Sequence, residues 1–209
     1  MNFAISSTGR TGTHFLARQL NRSEKWTVKQ EVYREKNNEN FRDGLYFQQG
    51  KPIHKETLKA FEQDYYGEVS FQLYGYLPEL NVRKKAIIIR NPRDVCLSLA
   101  NRKCSNKWFT QTNTVYNYLV DYANKNKEVM VIDFKKMVSD MDYFKKIAFF
   151  VGIDDLDFSK INLSKKTNIY KHGYIYNTWD DLPKENRDFY NTLKWKKYEK
   201  NILFSLQAE

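Results

Sequence analysis

Apolar residues in this chain gather in short runs separated by longer stretches in which apolar positions recur at helical spacing. Residues 2–6, 26–31, 68–73, 85–90 and 129–134 read as strands. Residues 13–20, 92–101, 112–124 and 140–151 read as helices. Ala86-Ile87-Ile88-Ile89 shows no polar alternation, as expected of a strand covered on both faces of a parallel sheet. Pro92 suits the first turn of a helix with Asn91 as its N-cap, and Gly152 suits a C-cap. Strands alternating with helices predict an α/β fold, a three-layer α/β/α arrangement around a mostly parallel sheet. The length and pattern predict one domain over 1–209. Residues 34–66 are polar and predict a partly helical excursion over the sheet's carboxyl edge. Residues 160–182, rich in Lys, Asn and Tyr, predict a long surface loop. Ligands of such sheets bind beyond the carboxyl ends of the strands, so both segments are expected as lids or acceptor-site walls.

The first strand runs into Ser6-Ser7-Thr8-Gly9-Arg10-Thr11-Gly12-Thr13-His14, with a helix immediately after it. Glycines there permit a tight turn with inward N–H groups. Hydroxyls and one arginine line the bend, and a helix N-terminus favours an anion. The segment is a phosphate cradle, but Gly12 is followed by Thr13 rather than the lysine of a nucleotide-kinase loop.

Composition narrows the classes. The net charge is +10, from 35 Lys and Arg against 25 Asp and Glu. The basic residues are dispersed among the acidic ones rather than clustered with aromatics. That favours a solvated basic surface with one local anion site over a nucleic-acid partner. No apolar run is long enough to span a bilayer, so no stable membrane insertion is expected. Cys96 and Cys104 read as belonging to one helix. They pair poorly there and are too few for a metal cage. With no signal-like start, they predict a reduced, cytoplasmic setting. His14, His54 and His172 have no metal-ligand spacing, so no metal is expected.

A second motif, Arg90-Asn91-Pro92-Arg93-Asp94-Val95-Cys96-Leu97-Ser98, follows the fourth strand. Arg90 leaves the strand at the ligand edge, and Ser98 lies two turns into the helix. A guanidinium fork and a hydroxyl converging there would bind a second phosphate. Alone, Arg90 reads better as the partner of a nearby carboxylate, and only the first loop changes that balance.

Together the two motifs resemble those of the sulfotransferases that use 3′-phosphoadenosine-5′-phosphosulfate (PAPS). Gly9-Arg10-Thr11-Gly12-Thr13-His14-Phe15 resembles that family's 5′-phosphosulfate loop, and Arg90 through Ser98 its 3′-phosphate motif. Residues 131–137 and 149–152 are similar to the strand and helix that follow in the family. The resemblance implies the P-loop-like sulfotransferase fold, PAPS as sulfuryl donor and 3′,5′-ADP (PAP) as product. It implies that Arg10 binds the phosphosulfate and stabilises the leaving oxygen. Thr11, Gly12 and Thr13 would hold the 5′-phosphate, with Arg90 and Ser98 on the 3′-phosphate. Phe15 would stack on adenine or pack its helix onto the sheet. Lys171-His172-Gly173 is similar to the loop that closes on the nucleotide, although a solvated basic loop reads equally well.

The catalytic base is left among several residues. Glu31, ending the second strand, comes first; His14 sits in the loop itself, and Glu68 is a third candidate. His54 falls in the variable excursion. The expected reaction moves a sulfuryl group to a hydroxyl or amine of a small molecule or glycan. The alternatives are an ATP-dependent kinase-like phosphotransferase, with Asp133 its only tempting magnesium ligand, or a non-catalytic polyanion- or nucleotide-binding module. A homodimer is compatible with the sequence, which marks no interface.

Overall fold

The computed structural model describes residues 1–30, 55–163 and 175–198. Five strands, β1 (Asn2–Ser7), β2 (Thr27–Lys29), β3 (Tyr66–Val69), β4 (Lys84–Ile89) and β5 (Met130–Asp133), form one sheet in the order β2-β3-β1-β4-β5. Every pairing is parallel. β1 is central, with its sequence neighbours on one side and β4 on the other. Its carboxyl end therefore opens at the point where the strand order reverses, where such sheets form their ligand crevice.

Side chains alternate between two apolar layers. Phe3, Ile5, Val69, Ala86, Ile88 and Ile132 pack under α1 (Thr13–Leu20), through Phe15, Leu16 and Leu20. On the opposite face, Ala4, Tyr66 and Ile87 pack with Leu73, Leu77, Val115 and Leu119. The numbering of the remaining helices follows the chain: α2 (Lys55–Phe61), α3 (Pro92–Ala100), α4 (Asn106–Lys125), a single turn α5 (Phe134–Met137), α6 (Met141–Val151) and α7 (Lys184–Thr192). α6 completes the first layer with Phe144, Ile147, Ala148 and Val151, and α4 supplies Val115, Leu119 and Ala123 to the second. Three layers result.

The local signals explain the helix ends. Asn91 accepts a hydrogen bond from the Arg93 N–H at 2.9 Å, and Pro92 opens α3. Asp140 accepts from Tyr143 N–H at 3.0 Å to start α6, and Gly152, at φ 90°, ends it.

Several boundaries differ from the sequence reading. The expected strand at 68–73 starts earlier and stops at Val69. Ser70 accepts a hydrogen bond from Gln72 N–H at 3.1 Å and caps a 3₁₀ turn, Phe71–Leu73. That local bond competes with the sheet ladder. α4 extends well beyond 112–124 at its N-terminal end, and α7 has no counterpart in the sequence reading. Cys96 and Cys104 do not share a helix: α3 ends at Ala100, and Lys103 turns at φ 58°. Both thiols are free. Of the segment expected to be a surface loop, residues 160–163 and 175–182 are described, and Leu182 is buried there with Val95 and Phe109. No helix among the described residues is long and apolar enough to cross a membrane.

Gly67 is a point of close approach. A Cβ there would lie 2.1 Å from Cζ of the fully buried Phe3. Gly67→Ala should cost about 1–3 kcal/mol by overpacking, measured as a lower urea midpoint with an unchanged slope. Phe3→Leu in the same chain should recover part of the loss.

Candidate functional site

The loop between β1 and α1 holds three residues in the left-handed region: Gly9 (φ 78°), Arg10 (φ 54°) and Gly12 (φ 79°). Arg10 is the costly one, because its Cβ crowds the following carbonyl, at roughly 1–2 kcal/mol for an L-residue. At Gly12 any Cβ would also meet Phe134 Cε2 at 2.8 Å and Met137 Cε at 3.1 Å. Gly9 N–H donates to Ser7 Oγ at 3.2 Å and Thr8 Oγ1 donates to the Gly9 carbonyl at 3.2 Å, which pins the entry to the bend.

Gly12 is also the N-cap of α1, and no side chain caps that helix. Thr11 is fully buried, and its hydroxyl has no hydrogen-bond partner. An uncapped helix start beside a buried, unsatisfied hydroxyl suits an anion that accepts from both.

The second motif meets the first directly. Arg90, leaving β4, donates from Nη1 to the Arg10 carbonyl at 2.8 Å. Its guanidinium stacks over Phe134 at 4.5 Å from the ring centre, and Nε lies 4.0 Å from Asp94 Oδ2. Ser98, half-buried on α3, accepts from Arg10 Nε at 3.1 Å. Two motifs some eighty residues apart are thus one site, built where β1 and β4 run side by side. Phe134 serves both halves, closing the space at Gly12 and carrying Arg90 on its face.

The other predicted residues fall as follows. Thr13 is buried. His14 is exposed, with Nδ1 2.6 Å from Gln30 Oε1. Phe15 is 4 % exposed and sits edge-on to Phe144, 6.4 Å between ring centres, so its ring takes part in the packing of helix on sheet. Glu68 is 3 % exposed, accepts from the Tyr66 hydroxyl at 3.4 Å and stands in register with Ala4. It is thus a buried residue of β3, one position before that strand ends at Val69. Glu31, His54, Lys171, His172 and Gly173 lie outside the described residues.

Asp133 is the N-cap of α5 and accepts from Lys136 N–H at 3.0 Å. Among the described residues no group of three His, Cys, Asp or Glu side chains could hold a metal ion.

Two further residues were not legible in advance. Asn101, buried at the end of α3, donates to the carbonyls of Leu97 (3.1 Å) and Tyr176 (2.9 Å). It accepts from Ile175 N–H (2.7 Å) and Tyr176 N–H (2.9 Å). One amide therefore ties the Ser98 helix to the chain returning at 175. Arg93 lies over Trp179, 5.7 Å from the ring centre, and Trp179 packs on Tyr190. Burial is the main cause pushing the Tyr190 phenol up to about 12, with Arg93 acting against it. Cys96 is fully buried in the core, and burial likewise pushes its thiol up to about 12.

No protein-family model matches the chain, and no curated protein does. Solved structures do. A mouse sulfotransferase, SULT7A1, complexed with PAP, superposes with a TM-score of 0.55 at 19% identity, covering 91% of this chain and 80% of that one. A sulfotransferase from Alicyclobacillus acidocaldarius superposes with a TM-score of 0.51 at 15% identity, covering 91% of each. With its five-stranded parallel sheet and a phosphate-type loop at the end of the central strand, this chain has the sulfotransferase fold.

Proposed function

We propose that this chain transfers a sulfuryl group from PAPS to a hydroxyl or amine of a small molecule or glycan. The observation that carries the reading is the joining of the two motifs, Arg10 to Ser98 and Arg90 to the Arg10 carbonyl, at one strand edge. A donor with phosphates at both the 5′ and 3′ positions needs two sets of anion-binding groups around one nucleotide site. A nucleotide with a single phosphate chain does not. The fold of the two solved sulfotransferases, one of them complexed with PAP, supports the same reading.

Bound PAPS would supply an activated sulfonate whose bridging oxygen becomes the leaving group. Thr11, Thr13 and the amides at the start of α1 hold the 5′-phosphate, the buried Thr11 hydroxyl gaining the partner it otherwise lacks. Arg10 carries the charge that builds on the bridging oxygen as the sulfur–oxygen bond breaks. Arg90 and Ser98 bind the 3′-phosphate, and Asp94, 4.0 Å from Arg90 and exposed, competes only weakly for the guanidinium. The net charge of +10 accommodates an anionic acceptor as well as a neutral one.

Sulfur-labelled PAPS, offered with a panel of phenols and sugars, tests the reaction. Arg10→Ala should lower kcat by roughly 10²–10³-fold, as when one preorganised charge-stabilising donor is lost. Ser98→Ala should leave kcat near wild type and raise the donor KM by about 10–100-fold, the worth of one hydrogen bond to a charged phosphate.

Thr11→Val separates stability from function. Removing an unsatisfied buried hydroxyl at constant shape should stabilise the ligand-free protein by about 1–3 kcal/mol. The same change should weaken 3′,5′-ADP binding. Calorimetric melting and titration calorimetry on one pair of proteins read both effects.

A further inference from the structure

Gln30 follows β2 directly and reaches across to the first turn of α1, where it bonds two consecutive residues of the loop motif. Its Nε2 donates to Thr13 Oγ1 at 3.3 Å, and its Oε1 lies 2.6 Å from His14 Nδ1. A primary amide has one donating and one accepting end, so this single side chain sets the polarity of both neighbours. With Thr13 Oγ1 accepting from the amide, the Thr13 hydroxyl proton points elsewhere and is available to an anion in the loop. With Gln30 Oε1 accepting, the His14 proton sits on Nδ1. The Nε2 lone pair is then left on the outer side of an exposed ring.

Resting on the sulfotransferase reading, we propose that His14 is the catalytic base and Gln30 its positioning residue. As the acceptor oxygen forms its bond to sulfur, its proton passes to His14 Nε2. The sulfur–oxygen bond to the phosphate breaks, and its electron pair leaves on the phosphate oxygen of 3′,5′-ADP. The base and the group that neutralises the leaving oxygen, Arg10, then belong to one loop, four residues apart. Gln30 couples them: the amide that prepares Thr13 to hold the donor also prepares His14 to deprotonate the acceptor. The core thiol Cys96, fully buried, is not placed for this task.

The arrangement has a readout that needs no acceptor. In protein labelled with nitrogen-15 histidine, two-bond ring correlations at mildly alkaline pH report which nitrogen carries the proton. The signal assigned to His14 by its loss in His14→Asn should show a protonated Nδ1 and a bare Nε2. Gln30→Leu should return that ring to a mixture of tautomers. A protonated Nε2 in the wild-type protein would mean that the amide is reversed, and would overturn the proposal.

Activity supplies the second arm, again with sulfur-labelled PAPS and the phenol and sugar panel. His14→Asn keeps a donor where Nδ1 was, so it preserves the bond to Gln30 while removing the base. Both His14→Asn and His14→Ala should lose at least about 10²-fold in kcat, the usual worth of a general base. Both should bind 3′,5′-ADP as wild type does. An active His14→Asn beside an inactive Glu31→Gln would move the base to Glu31 and overturn the assignment. If the wild-type protein neither binds 3′,5′-ADP nor transfers label, the sulfotransferase reading fails. The ring correlations still decide whether Gln30 holds His14 as described.

Discussion

The site depends on one constraint: a non-glycine residue, Arg10, held in the left-handed region between two left-handed glycines. That conformation turns the loop's N–H groups inward and leaves the Arg10 carbonyl facing β4, where Arg90 donates to it at 2.8 Å. The strain at Arg10 is thus offset from outside the loop, by a residue on the neighbouring strand. The same bend aims the Arg10 side chain at Ser98. If the bend were relaxed, the cradle and the link between the two motifs would be lost together.

Everything beneath the loop serves to hold it at that edge. The parallel pairing of β1 with β4 brings Ser7 into register with Ile88, two residues before Arg90. The Phe134 ring, at the end of β5, lies under Gly12 and under the Arg90 guanidinium. A side chain at residue 12 would be excluded by that ring even if the backbone could accept it. Asn101 extends the same logic to α3, anchoring the chain at 175–176 one turn beyond Ser98. The electrostatics are local. Among the described residues, Asp94 is the carboxylate that meets Arg90, at a distance and exposure that make the pair weak.

Much of this was legible in the chain because the signals were local and strong. α3 carries its start residues, Asn91 and Pro92, and α6 its stop, Gly152, and the Ala86–Ile89 run suits a doubly covered strand. What was not legible depended on long-range contacts. β3 stops at Val69 because Ser70 takes up a local bond, a choice propensity does not foretell. Phe15 finds its ring partner, Phe144, more than a hundred residues later. Gln30 and Asn101 are ordinary polar residues in sequence, and only the fold shows what their amides hold.

Two motifs forming one site should select a nucleotide phosphorylated at both the 5′ and 3′ positions. Titration calorimetry of the purified protein with 3′,5′-ADP and with its isomer, ordinary 5′-diphosphate ADP, should show tighter binding of 3′,5′-ADP by about 10–100-fold, the worth of a charge-assisted contact to the 3′-phosphate. Arg90→Ala should erase that preference. Equal affinity for the two nucleotides, or a preference for ADP, would contradict the shared site.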